Sequence, residues 1–101
     1  MIDTANLPTH TLDEIVDYET AREVMAMLGS ALTSDIHAEE SKSRPSAARL
    51  AALRAERAKI FGERLNLCAG DRAEVSRVIS EYGMRVRQSF RTSDSPALAR
   101  G

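Results

Sequence analysis

This sequence predicts an all-α fold, and three observations carry that expectation. Apolar residues recur at helical spacing over three long stretches. The joins between them hold residues that stop and start helices, Pro45 in one and Gly70 followed by Asp71 in the other. No stretch alternates apolar and polar residues as a half-buried strand does. With 101 residues, of which only 4% are aromatic, the core must be built from alanine and aliphatic side chains and will be thin. The expected architecture is an antiparallel three-helix bundle with a short extra N-terminal helix, completed by dimerisation.

Residues 1–10, MIDTANLPTH, have no period and contain Pro8, and so form an irregular lead-in. Thr11 and Glu14 then have the spacing of a capping box, in which the threonine hydroxyl and the glutamate carboxylate each accept from the other's backbone N–H. Leu12, Ile15 and Val16 share a face nearly opposite the one made by Ala21, Val24, Met25, Leu28, Ala31, Leu32 and Ile36. Thr20 and Glu23 repeat the capping-box spacing where this phase changes. The favoured reading is a short helix over 12–18 followed by a longer one from 21 to about 40. The alternative is one continuous helix whose first two turns face a different neighbour.

Residues 41–46, SKSRPS, form a turn, since Pro45 forces the residue before it into extended geometry and suits the start of a helix. The second long helix runs to about Leu67. Leu50, Leu53, Ile60, Phe61 and Leu65 lie on one arc of it, and Arg54, Arg57 and Arg64 lie inside the same arc. Gly70 is the expected left-handed residue after its end, and Asp71 caps the next helix with Glu74 three residues on. From Arg72 to about Arg91, the residues Val75, Val78, Ile79, Tyr82, Val86 and Phe90 share one arc, with Met84 and the arginines Arg77, Arg87 and Arg91 outside it. A single helical domain therefore spans 11–91, and 92–101 forms a flexible tail.

The net charge of -1 conceals a polarity. Residues 1–41 hold nine acidic side chains against one basic, and residues 42–101 hold thirteen basic against six acidic. Either the halves attract each other or each has its own charged partner. No run of about 18 apolar residues could span a bilayer, and no charged-then-apolar leader is present. A cytoplasmic protein without membrane association is expected, and a lone Cys68 permits no internal disulfide.

Arginine within an apolar stripe requires a partner. In an antiparallel hairpin, equal rise along both helices places Asp35 level with Arg54 and Glu39 level with Arg49. Arg57 has Gly29 and Ser30 at its level on the preceding helix and Glu81 and Tyr82 on the following one. Arg64 has Glu23 and Glu74. These two arginines either snorkel to rim glutamates or meet a second chain, whether a copy or a different protein. Leu12, Ile15 and Val16 form either a lid over the bundle end or a docking edge. Gly29, Gly62 and Gly83 sit inside helices, where close crossings would explain them.

Little here supports catalysis or ligand chemistry. His37 and Glu40 are the only helix-spaced pair of metal-ligand type, Cys68 reads as a buried or half-buried turn residue, and no nucleophile motif or phosphate-binding loop is present. No cofactor or metal is expected. The expected function is a non-enzymatic protein-protein interaction module, an adaptor, regulator or inhibitor that binds through Arg57, Arg64, Leu12, Ile15 and Val16. The alternative is a nucleic-acid-binding accessory or regulatory protein that uses Arg77, Arg85, Arg87 and Arg91 on the last helix.

Overall fold

A computed structural model of the chain describes residues 11–100, with side chains described as far as Ser89; the lead-in expected over 1–10 lies outside the described residues. Three helices follow in order, α1 (Leu12–Glu40), α2 (Ala47–Asn66) and α3 (Arg72–Arg100), and no strand occurs among the described residues. The fold is an all-α bundle. Each helix begins at a side chain that captures an otherwise unpaired backbone N–H. Thr11 forms the full capping box with Glu14, Ser46 accepts from Arg49 N at 3.1 Å, and Asp71 accepts from Glu74 N at 3.2 Å.

α1 is one unbroken helix, and the separate short helix expected over 12–18 does not exist. Thr20 was the expected second cap, but its hydroxyl donates to the Val16 carbonyl at 2.8 Å. A threonine whose hydroxyl bonds back four residues sits comfortably inside a helix. The phase change at that point is instead a change of surroundings: in these turns Leu12, Ile15 and Val16 are exposed, while Glu14 and Asp17 on another side of the helix face Arg72 of α3.

α1 is the spine. Its backbone packs closely against α2 and against α3, whereas α2 and α3 make no close backbone approach to each other. Ala21, Met25, Leu28, Leu32 and Ile36 on α1 meet Leu53 and Ile60 on α2 and Val75, Val78, Tyr82 and Val86 on α3. Met25, Ile60 and Val78 are fully buried, each worth about 1.5–3 kcal/mol relative to exposure. This core matches the expected apolar faces except on α2, where Phe61 and Leu65 are exposed. Leu65 lies at the edge of the arc, beyond the strip that α1 covers, whereas Phe61 rests its ring on Gly29 of α1 and leaves the rest of its surface exposed.

The turns are settled by side chains more than by glycine. Glu39 at the end of α1 is buried, and it accepts from Lys42 Nζ at 2.8 Å and from Ser46 N at 2.8 Å while Arg49 Nε lies 3.4 Å away. One carboxylate thus holds the whole 41–46 turn and the start of α2. At the second turn the expectation for Gly70 fails, since no glycine among the described residues has a positive φ. α2 ends because Leu67 turns extended, at φ -68° and ψ 134°, and buries its side chain in the core. Asp71 N then closes the turn on Cys68 O at 3.1 Å. Cys68 itself is exposed, against the expected burial, because its neighbour Leu67 takes the inward position. The backbone of α3 is helical to Arg100, beyond the boundary expected near Arg91. Ala97, Leu98, Ala99 and Arg100 favour this extension by their helix propensity, and Pro96 within it opposes it.

Candidate interaction surface

The seam between α1 and α2 decides where the stripe arginines go. Arg57 Nη1 donates to the Thr33 hydroxyl at 3.1 Å, and Arg64 Nε donates to the Arg22 carbonyl at 3.1 Å. Arg22 returns the contact, its Nη1 donating to the Arg64 carbonyl at 3.4 Å, and its guanidinium stacks 5.6 Å from the Tyr18 ring centre. A helical carbonyl has a second lone pair, so it can take such a bond without breaking the helix. Neither Arg57 nor Arg64 reaches a glutamate of α3. Among the described residues Arg22, Arg57 and Arg64 have hydrogen-bond partners but no carboxylate to neutralise them.

Arg54 does find a carboxylate, but that of Glu40 at 2.7 Å in place of the expected Asp35. Asp35 faces the α3 side of α1, beside Arg49 and Arg85 in a cleft between the helices. The expected Glu39 and Arg49 pair is present. The Lys42 ammonium and then the Ser46 N–H hold the Glu39 carboxyl below the usual carboxylate value, against the opposing effect of its burial.

Between α2 and α3 the contacts are long polar side chains. Arg77 pairs with Glu74, with Glu81 at 2.7 Å and with Glu63 of α2 at 3.0 Å, and its guanidinium lies 5.4 Å from the Tyr82 ring centre. The hydrogen bonds that Arg77 donates to Glu74 and Glu81 hold it protonated, and Arg77 in turn lowers the Glu74 carboxyl. The Tyr82 hydroxyl donates to Glu63 at 2.6 Å; burial first, and that bond second, push its ionisation above the ordinary tyrosine value. Arg85 pairs with Glu56. Of the four arginines considered for nucleic acid, Arg77 and Arg85 are thus already neutralised, Arg87 is exposed, and the Arg91 side chain lies outside the described residues. Nothing in residue spacing marks Arg77 as the common partner of three carboxylates, because one of them comes from another helix.

The apolar edge stands as an edge. Leu12 is 75% exposed, Ile15 47% and Val16 52%. Ile15 and Val16, with Val24 and Met27, line a shallow trough of about 600 Å³ that Glu19 and Glu23 also border. Neither these glutamates nor Asp13 has an ion pair among the described residues, whereas Glu14 and Asp17 beside them face Arg72. On the α2 side of the same helix, Phe61 is 39% and Leu65 82% exposed. The structure therefore brings the two groups of expected contact residues onto neighbouring edges of one face. Phe61 and Leu65, which the α2 stripe reads as core, and Glu19 and Glu23 lie beside them.

No three metal-ligating side chains converge among the described residues. The imidazole of His37 lies 3.7 Å from Glu40 on the surface. No helix among the described residues is long and apolar enough to cross a membrane. A small helical bundle with one uncovered, charge-bordered face is the class that the fold and this surface define. The chain matches no protein-family model, no curated protein and no solved structure.

Proposed function

We propose that this chain is a non-enzymatic protein-protein interaction module, a cytoplasmic adaptor, regulator or inhibitor that works through the uncovered face of α1 and the adjoining α2 edge. The observation that carries this reading is the exposure of Leu12, Ile15 and Val16 beside carboxylates that no cation of the described residues neutralises. Exposed apolar side chains grouped with a polar rim are the usual composition of a docking surface. Arg57 and Arg64 contribute the opposite charge at the neighbouring edge, and arginine is well suited to pair with a carboxylate across an interface. Self-association belongs to the same reading, since a thin core gains from covering this face.

The test is an affinity pull-down from nuclease-treated and untreated lysate with the wild type and a Leu12→Asp, Val16→Asp variant. Both positions are exposed, so the variant should keep its helical spectrum. A protein partner recovered with the wild type and lost with the variant supports the reading. Recovery of nucleic acid alone from untreated lysate, unaffected by the variant, moves the function to Arg87 and the last helix.

A further inference from the structure

We infer that the occupant of this surface is a second copy of the chain, paired antiparallel through the α1 and α2 face about a two-fold axis near Arg22. This rests on the reading of the Leu12 edge as a docking surface and adds what binds there and how. The first ground is the way charges sort. Among the described residues, every carboxylate outside Asp13, Glu19, Glu23, Asp35 and Asp71 has a cationic partner. Asp71 is occupied as a helix cap, and Asp35 lies toward α3. The three that remain lie in the first half of α1. Six cations among the described residues have no carboxylate; Arg22, Arg57 and Arg64 lie along the seam with α2, and Arg44, Lys59 and Arg87 lie elsewhere.

The second ground is apolar exposure. Of the six large apolar side chains exposed among the described residues, Leu12, Ile15, Val16, Phe61 and Leu65 lie along these two edges, and Met84 alone lies elsewhere. Ile15 and Thr33 are five helical turns apart and so point the same way; Thr33 is where Arg57 docks. The acidic edge and the cationic edge are therefore parts of one face.

The third ground is register. Phe61 lies over Gly29, and Arg64 exchanges bonds with Arg22. Ile15 and Gly29 stand equally far from Arg22 in opposite directions, about 10 Å along the helix. A two-fold axis at Arg22 consequently brings Ile15 of one copy to Phe61 of the other, and Leu12 toward Arg57. Glu19 and Glu23, within a turn of the axis, meet Arg64 and Arg22 of the second copy. Such a contact is self-complementary, as a two-fold interface must be. Parallel pairing would instead set Glu19 on Glu19 and Glu23 on Glu23, and like charges at an interface repel.

The test is sedimentation equilibrium of the full chain at rising concentration. The wild type is expected to dimerise reversibly. Leu65→Asp, at a side chain with no role in the core, should raise the dissociation constant by at least about tenfold. So should Glu19→Arg with Glu23→Arg, and, separately, Arg57→Glu with Arg64→Glu. Mixing these two charge-reversed variants restores attraction at both halves of the two-fold contact, so a heterodimer should form where neither variant dimerises alone. If the arginine variant loses its helical spectrum, Leu65→Asp and the glutamate variant decide. A wild type that stays monomeric to about 1 mM, or a dimer that none of these changes weakens, overturns the inference. A monomer that still captures a protein through Leu12 and Val16 overturns it while leaving the proposed function standing; a monomer that captures none overturns both.

Discussion

Phe61 of α2 lies over Gly29 of α1 so closely that a β-carbon at residue 29 would stand 2.5 Å from the ring's Cζ. No real β-carbon tolerates that approach, so glycine here is what lets the Phe61 ring lie against the spine in this position. The other two helical glycines have no such role: a β-carbon at residue 62 meets open space, and one at residue 83 finds only Arg87 at 3.7 Å. Gly29→Val is expected to lower stability by about 1–3 kcal/mol through overpacking. In the double variant with Phe61→Ala the clash has no partner, and the two losses should fall short of additive by at least about 0.5 kcal/mol. Urea unfolding of the four proteins measures this, and strict additivity would refute the contact.

Thr11 and Thr20 look alike in sequence and differ in the fold. Thr11→Ala removes a true cap and should cost about 1 kcal/mol. Thr20→Ala removes a hydroxyl bonded back to Val16 within a continuous helix, and alanine is the better helix residue there, so stability should hold or rise by a few tenths of a kcal/mol. Equal losses in urea unfolding would mean that a second helix begins at Thr20.

Glu39 couples the first turn to pH. Its folded carboxyl is held below the ordinary value, so the stability it supplies is fully present above that value and is lost as pH falls through the depressed one. Glu39→Gln should lower the melting temperature at neutral pH and reduce the steepness of the loss on acidification. Parallel melting curves for wild type and variant across the acid range would show the opposite, that Glu39 carries no such linkage.

Tyr82 works at the other end of the scale. Burial and the Glu63 carboxylate raise its ionisation, so its contribution is fully present below the ordinary tyrosine value and is lost as pH rises through the raised one. Tyr18→Phe leaves Tyr82 as the one tyrosine, and its phenolate absorbance should then appear at higher pH in the folded protein than after denaturation. Tyr82→Phe, which leaves Glu63 without that donor, should cost about 1.5 kcal/mol. A phenolate midpoint unchanged by denaturation would sink the assignment.

The sequence by itself determined the all-α class and the core faces of the first and last helices, though not that Leu12–Glu40 is one helix or that the last helix runs past Arg91. Spacing of Ala21, Met25, Leu28, Leu32 and Ile36, and of Val75, Val78, Tyr82 and Val86, is a local property of a 3.6-residue turn, and the structure keeps those faces as the core. Caps at Thr11 and Asp71 are equally local, since each reaches only three residues along the chain. Which end of an arginine's reach is used is not local. Arg57 takes the Thr33 hydroxyl, Arg64 a backbone carbonyl and Arg54 Glu40, each chosen by the separation and rotation of two helices. Leu65 reads as core on its own helix and is exposed because α1 covers a narrower strip than the apolar arc. Periodicity fixes the direction in which a side chain leaves its helix; only packing in three dimensions decides whether anything is there to meet it.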